Sequence, residues 1–440
     1  MARSRPWSST NADLRRRTQV PAPAIGEIEQ WLLRSLSPAS FKPLSGIKGT
    51  HEKAMRERVL TLPVMVAVVV SLVYRQINGL SELLRVLQQE GLLWVEPMRV
   101  SVEAVSKRLR VLPVSVFSEL FEGLIPQLQG STQVVSAVWQ PVKERFSAIW
   151  IADGSSLEEL RRQLKVLRDE PKTVLAGKMM AVVELLTHRP LKFSYALNPK
   201  ANDKTFDQWL LQQLPPGGLL VFDLGFFKFP WFDQFTEQSK YFLTRLREKT
   251  AYQVVQTLSA GPRYRDELVH LGSYRSHPCH HRLRLVSVLW DTTWYCYLTN
   301  VLDPEQLPPH LVCELYRHRW RIEDAFALTK RLLGLSYLWV GDRNGVQIQI
   351  YATWIFYALL NELCAQVAVA LNQPLERISM EMVFRGLYHY AQALLRGTQQ
   401  TVVSFLVENH RLLALLKAIR KRQRKRDTQF QEIWGIPALS

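Results

Sequence analysis

The sequence predicts an α/β protein with helices at both ends and a strand-rich middle. Three observations carry this reading. Between about Ile28 and Leu124, apolar residues recur at three- and four-residue spacing, as in "GLSELLRVLQQEGLL" and "SVEAVSKRLRVLPVSVFSELFEGL". From Phe146 to Asn300 the pattern changes to short apolar runs bounded by turn residues. After "DPEQLPPHL" the helical spacing returns and runs into the basic stretch "KAIRKRQRKR".

The bulk properties narrow the function. A chain of 440 residues is long enough for two or three domains, or for one large core with additions. With 47% hydrophobic and 22% charged residues it is expected to fold. A net charge of +17 calls for a polyanionic partner, nucleic acid or an acidic membrane surface. The four cysteines form no CxxC pair, which fits a reducing compartment. The start "MARSRPWSSTNADLRRRTQV" is basic with no apolar stretch after it, so no signal peptide is expected. The most apolar run, Val59 to Tyr74, contains Pro63 and is short for a bilayer span. It is read as a buried helix, and the protein as cytoplasmic, nucleoid-associated and free of membrane.

Each segment follows from its residues. Residues 1–27 form a flexible basic arm ending in "VPAPAIG". Residues 28–130 are helical. There Ser101 caps a helix carrying Lys107, Arg108 and Arg110, and Pro113 ends it. Two helices around a short turn, the second basic, make a helix-turn-helix unit that binds DNA; the alternative is a plain bundle with a solvated basic face. In "RFSAIWIADGSSLEEL" a strand stops at Asp153, turns at Gly154-Ser155 and restarts as a helix. "KMMAVVELLT" and "PLKFSYALNP" are strands joined through His188-Arg189-Pro190, and Asp203 caps the helix of "DKTFDQWLLQQL". "PPGGLLVFDLGF" is a buried strand with Asp223 at its end, and "YFLTRLRE" is the next. Residues 251–305 are strand-rich, with "RLRLVSVLWDTTWYCYLTN" a hairpin whose tip is "DTT". Residues 306–375 carry a helix with Glu323 among cations, and 376–440 are helical with a basic tail.

The chemistry lies in three carboxylates. Asp153 and Asp223 each sit where an apolar strand meets a turn, the edge at which open α/β sheets place ligands. Either alone is explained as a helix cap. Converging carboxylates repel unless a cation joins them, and Mg²⁺ takes oxygen ligands while keeping some waters. Two such ions shared with a phosphodiester serve in-line phosphoryl transfer. On a continuous helix Tyr316, Arg319, Glu323 and Lys330 share one face, at spacings of 3, 4 and 7. The bland alternative is i,i+4 pairing of Arg319 with Glu323 on a solvated surface.

The spacing Y-x2-R-x3-E-x6-K resembles the signature of the insertion-sequence four family of bacterial DDE transposases. Four fixed residues recur by chance in about one in several hundred chains of this length. "IADGS" and "VFDLGFF" resemble the family's two Asp blocks, and "LTNVLDPEQLPPHLVCELYRHRWRIEDAF" and "KRLLGLSYLWVGDRNGVQIQIYATWIFYAL" the flanks of its Glu. The resemblance covers about residues 55 to 370. One departure is Leu224, where the family has Arg after the second Asp.

This resemblance implies an RNase H-like core. Residues 131–250 would supply its first part, 251–305 a β-rich insertion and 306–375 the rest, with 28–130 binding DNA. It implies two Mg²⁺ (Mn²⁺ able to substitute) on Asp153, Asp223 and Glu323, and phosphates of the element's end on Tyr316, Arg319 and Lys330. The 100 residues from Asp223 to Glu323 (323 − 223) exceed a simple crossover of roughly 30. They match relatives that cut through a DNA hairpin and stack an aromatic on a flipped base. Trp294 and Trp290 are the candidates, against the alternative that both pack the insertion's own core.

The expected activity is cutting at terminal inverted repeats and joining 3′ ends to target DNA, with a second copy of the chain in the DNA complex. The alternatives are a nuclease without joining and a decayed DNA-binding relative. "SHPCHHRL" offers His277, Cys279, His280 and His281 for zinc, but no second cluster accompanies it. "KAIRKRQRKR" reads as a phosphate-tracking tail.

Overall fold

The computed structural model describes residues 29, 33–77, 79–128, 139–156, 177–196, 198, 201–272, 276–331, 333, 335, 339, 342–419 and 421–438. The arm at 1–27 and the helix expected after Ser156 lie outside these residues. The chain is mixed α/β, with one large sheet and many helices. It divides into two compact units, each built from separated stretches: 1–134, 157–177 and 325–418, and then 135–156, 178–324 and 419–440.

The first unit is helical. It contains α1 (Leu62–Tyr74), α2 (Leu80–Gln89), α3 (Val102–Val111) and α4 (Val114–Leu124). It also contains α10 (Arg343–Ala370), α11 (Met380–Leu395) and α12 (Val402–Glu408). Thr61 caps α1, with Pro63 in its first turn, and the helix is buried nearly all round. At the centre, α10 packs against α1, α3, α4, α11 and α12. It is long and apolar enough to cross a membrane, but 83% of its apolar window is buried within the protein, as in a core helix. Asn344 Nδ2 donates to the carbonyls of Leu109 (2.7 Å) and Leu112 (2.6 Å) and so satisfies the C-terminal end of α3.

The helix-turn-helix expectation needs correction. Residues 90–101 separate α2 from α3, longer than the three or four residues of that motif. Ser101 does cap α3, through the amide of Ala104. Arg108 turns inward and donates to the carbonyl of Arg56 at 2.7 Å, while Lys107 and Arg110 are exposed.

The second unit is built on a nine-stranded sheet. Its strands are β1 (Ile149–Ser156), β2 (Lys178–Glu184), β3 (Pro190–Ala196), β4 (Leu219–Val221), β5 (Tyr241–Arg245), β6 (Tyr252–Gly261), β7 (Tyr264–Leu271), β8 (Leu283–Trp290) and β9 (Thr293–Thr299). They lie in the order β3-β2-β1-β4-β5-β9-β8-β7-β6. β1, β4 and β5 are parallel neighbours, and the other pairs are antiparallel. The helices are α5 (Gln140–Arg145), α6 (Asp207–Gln213), α7 (Phe229–Glu237), α8 (Pro309–His318) and α13 (Lys421–Trp434); α9 (Arg321–Arg331) follows α8.

One expectation about strands changes. β1 does not stop at Asp153: it stays paired with β2 through Ser156↔Lys178. The strand-rich 251–305 segment extends the same sheet, because β9 pairs with β5 at Leu243↔Thr299. Its last hairpin turns through Asp291-Thr292, closed by Trp290↔Thr293 with Asp291 at φ 52°.

Aromatic rings fill the core beneath β4 and β5. Phe222 meets Phe226, Trp231, Phe232, Phe235 and Phe242 at centroid distances of 4.7 to 6.4 Å. A buried ion pair fastens the extension. The Arg284 guanidinium meets both oxygens of Asp266 at 2.7 Å, with both side chains fully buried. It also donates to the carbonyls of Val301, Asp303 and Leu307, which lead into α8. Removing one member strands a buried charge. Asp266→Asn should therefore lower stability by roughly 3–5 kcal/mol, measured by denaturant unfolding.

Candidate active site

Register builds the site. The parallel pairs Ile149↔Leu219, Trp150↔Leu220 and Ile151↔Val221 align β1 with β4. Two residues beyond the last pair stand Asp153, within β1, and Asp223, just past β4, at the carboxyl end of the parallel region. Phe222, fully buried, anchors the residue before Asp223. Asp223 Oδ1 accepts from the Gly225 amide and Asp153 Oδ1 from the Gly154 amide, both at 2.8 Å. Burial and then the Asp223 charge push the Asp153 carboxyl up to about 7, against the pull of Arg319.

The helix through Glu323 differs from the straight one predicted. It is interrupted at Arg319-Trp320, where bonds run to the third residue back: Arg319 N to Tyr316 O, Ile322 N to Arg319 O and Glu323 N to Trp320 O. No proline or glycine forces this. The tightened turn sets Arg319, 6% exposed, between two carboxylates: Nη1 is 3.2 Å from Asp153 Oδ2 and Nη2 is 3.1 Å from Glu323 Oε1. Burial opposes the Arg319 charge, but Tyr316 and the carboxylates of Asp153, Asp223 and Glu323 outweigh it and hold it charged.

Tyr316 is buried rather than presented. Its ring lies 5.3 Å from that of Tyr297 and 5.9 Å from the Arg319 guanidinium, so it forms a floor under Arg319. The Arg319 guanidinium also lies over the ring of Trp320, itself 60% exposed, at 5.0 Å. Lys330 lies on α9, seven residues beyond Glu323.

Several contributors were invisible to sequence reasoning. Arg321 donates to His188 Nε2 (2.6 Å), in the β2–β3 turn, and to His318 Nε2 (3.1 Å). A guanidinium only donates, so both imidazoles accept and are neutral at those nitrogens. Burial, then Arg321 and Arg317, hold His318 well below its ordinary range. This ties the start of α9 to the sheet next to Glu323. Lys178 and Asp203 also approach the Asp-bearing turns. A cluster read from linear spacing misses them all, because they converge from different elements.

Two other groups singled out in the sequence have structural roles. In the histidine-rich loop, Cys279 is buried with its thiol pushed up to about 12 by burial, and the amides of His280 and His281 donate to Asp233. The loop is held by backbone contacts, and His277, Cys279, His280 and His281 do not converge on a zinc site. The basic C-terminal stretch is no free tail, because its helix α13 docks on the extended sheet. Lys425 meets Asp291 at 2.9 Å, Arg263 meets Glu432 at 3.0 Å and Tyr264 meets Trp434 at 4.7 Å between rings. Trp290 stacks on Phe430 of the same helix, whereas Trp294 is 41% exposed beneath Arg265 at 5.5 Å. Trp290→Ala should therefore lower the melting temperature by several degrees, and Trp294→Ala should leave it nearly unchanged, in a thermal melt.

Among the described residues no three His, Cys, Asp or Glu side chains form a ready metal cluster. The donor set still fits a hard cation. Asp153 and Asp223 offer carboxylate oxygens side by side, the Asp223 charge adds to burial in raising the Asp153 carboxyl, and a guanidinium already serves as the cation between Asp153 and Glu323. Arg319→Gln should destabilise the metal-free protein by about 3 kcal/mol. Millimolar Mn²⁺ should then raise its melting temperature more than that of the wild type, in calorimetry with and without chelator.

Residues 168–359 match the family model described as Transposase DDE domain, a stretch that contains Asp223, Tyr316, Arg319, Glu323 and Lys330 but not Asp153. The chain is 27% identical over 185 residues to "Putative transposase y4zB" of Sinorhizobium fredii (strain NBRC 101917 / NGR234), covering 39% of this chain and 49% of that protein. It is 25% identical over 152 residues to "Transposase for insertion sequence element IS231F" of Bacillus thuringiensis subsp. israelensis, covering 34% of this chain and 31% of that one. The chain thus spans about half the length of the first relative and about a third of the second. These similarities support a DDE transposase.

Proposed function

We propose that the protein is an insertion-sequence transposase of the insertion-sequence four type, cutting DNA at terminal inverted repeats and joining the 3′ ends to target DNA. One observation carries this reading: β1–β4 register sets Asp153 beside Asp223, and Arg319 links Asp153 to Glu323. The strand order β3-β2-β1-β4-β5 around these carboxylates supports an RNase H-like core, with β6 to β9 as its insertion. The helices before β1, with the exposed Lys107 and Arg110 and the half-buried Arg108, are assigned to DNA.

Asp153, Asp223 and Glu323 would hold two divalent ions, Mg²⁺ or Mn²⁺. When bound, such ions activate the attacking oxygen and offset charge on the leaving one. The chain's own residues position and neutralise. Arg319 and Lys330 bind phosphates of the processed strand, and the rings of Tyr316 and Trp320 both contact the Arg319 guanidinium and help to hold it. Trp294, with Arg265 stacked on it, offers an aromatic face to an unstacked base. The protein would act in the cytoplasm on nucleoid DNA, as two copies in the DNA complex.

A labelled duplex from the DNA flanking the gene, incubated with Mg²⁺ and a target plasmid, tests the reading. Wild type should yield joined product, whereas a nuclease would yield cut ends alone. Asp153→Ala, Asp223→Ala and Glu323→Ala should each reduce cutting to background while retaining end binding by gel shift. A variant of the three that cuts like wild type would remove that carboxylate from the site.

A further inference from the structure

The two turns that carry the carboxylate pair each place a glycine next to an aspartate, Asp153-Gly154 and Asp223-Leu224-Gly225. A third aspartate explains both. Asp203 opens the 3₁₀ turn Asp203–Phe206, capped by Asn202, and its side chain reaches into the notch between the two turns. A Cβ on Gly154 would overlap Asp203 Oδ1 and lie 2.7 Å from Lys178 Cε. A Cβ on Gly225 would lie 2.8 Å from Asp203 Oδ2 and 2.9 Å from Asp223 Oδ1. The carboxylate therefore touches the backbone next to both presumed ligands.

Asp203 is also held. Lys178 Nζ lies 2.5 Å from Asp203 Oδ1 and donates to the Ala201 carbonyl at 3.0 Å. The pair is mostly shielded, with side chains 13% and 22% exposed. Lys178 itself is pinned by β-pairing, opposite Ser156 on β1 and Ala196 on β3. One salt bridge thus spans the far end of β1, the start of β2 and the loop before α6.

We propose that Asp203, clamped by Lys178, is a positioning residue that fills the notch between the Asp153 and Asp223 turns and sets the separation of their carboxylates. The proposal rests on reading Asp153 and Asp223 as metal ligands. In this role Asp203 acts through the two glycine-flanked turns rather than as a ligand. Groups behind metal ligands typically change metal affinity by about 10- to 100-fold when removed.

The test is Mn²⁺ binding by calorimetry on the full chain without DNA, with a circular-dichroism melt for each variant. Asp203→Ala should weaken binding by about tenfold or more, and Asp203→Asn, which keeps the shape, by less than about threefold. Gly154→Ala should weaken binding because its methyl meets the held carboxylate. The double variant Gly154→Ala/Asp203→Ala should bind more tightly than Gly154→Ala alone, a non-additivity expected only of groups in contact. Wild-type affinity in Asp203→Ala, or a double variant no tighter than Gly154→Ala, overturns the proposal. Asp153→Ala separates the two levels. If it binds Mn²⁺ like wild type, the metal reading fails; if it loses binding while Asp203→Ala keeps it, only the positioning role fails.

Discussion

The site depends on the parallel register of β1 and β4. Three residue pairs align two strands from distant parts of the sequence, and that alignment alone brings Asp153 level with Asp223. A slip of one residue would move one carboxylate to the opposite face of the sheet. The register is locked from below: Phe222 is fully buried among five aromatic rings, and a slip would pull it out of that cluster. An apolar packing constraint therefore fixes an electrostatic arrangement that is unfavourable by itself.

The third carboxylate reaches the site by a longer route. The strands after β5 return to it through β9, and the buried Arg284–Asp266 pair gathers the carbonyls of the loop entering α8. That loop aims α8, and the tightened turn at its end aims Arg319 and Glu323. The β6–β9 extension is thus part of how the site is positioned. Helix α13 packs on this extension, where its Lys425 pairs with Asp291 and its Glu432 with Arg263.

Much of this was legible in the sequence, for physical reasons. An apolar run followed by a lone Asp drew attention to both aspartates, although only Asp223 follows the end of its strand. The parts that were missed depend on partners distant in sequence. β1 continues past Asp153 because β2 is there to pair with it, and nothing in "DGSS" announces β2. The interruption at Arg319 has no proline or glycine to signal it. The basic run hid the docking face of α13 because Phe430 and Trp434 lie beyond the cations that drew attention. Trp290 and Trp294 look equivalent in the sequence, yet Trp294 stands opposite Leu289 and Trp290 opposite Thr293, so the pleat sends them to different faces. One rests on α13 and the other is exposed.

The interleaving of the two compact units has a consequence for biosynthesis. Each unit draws on early, middle and late stretches of the chain. Helix α10, around which α1, α3 and α4 pack, is translated long after those helices, and α13 later still. A ribosome therefore releases the valine-rich surface of α1 well before its cover exists, and neither unit can close as a nascent domain. Folding of the helical unit therefore relies on contacts between distant stretches of chain, which slows it. Fragments ending before α10 would keep the aromatic core beneath β4 and β5 but lack the centre of the helical unit.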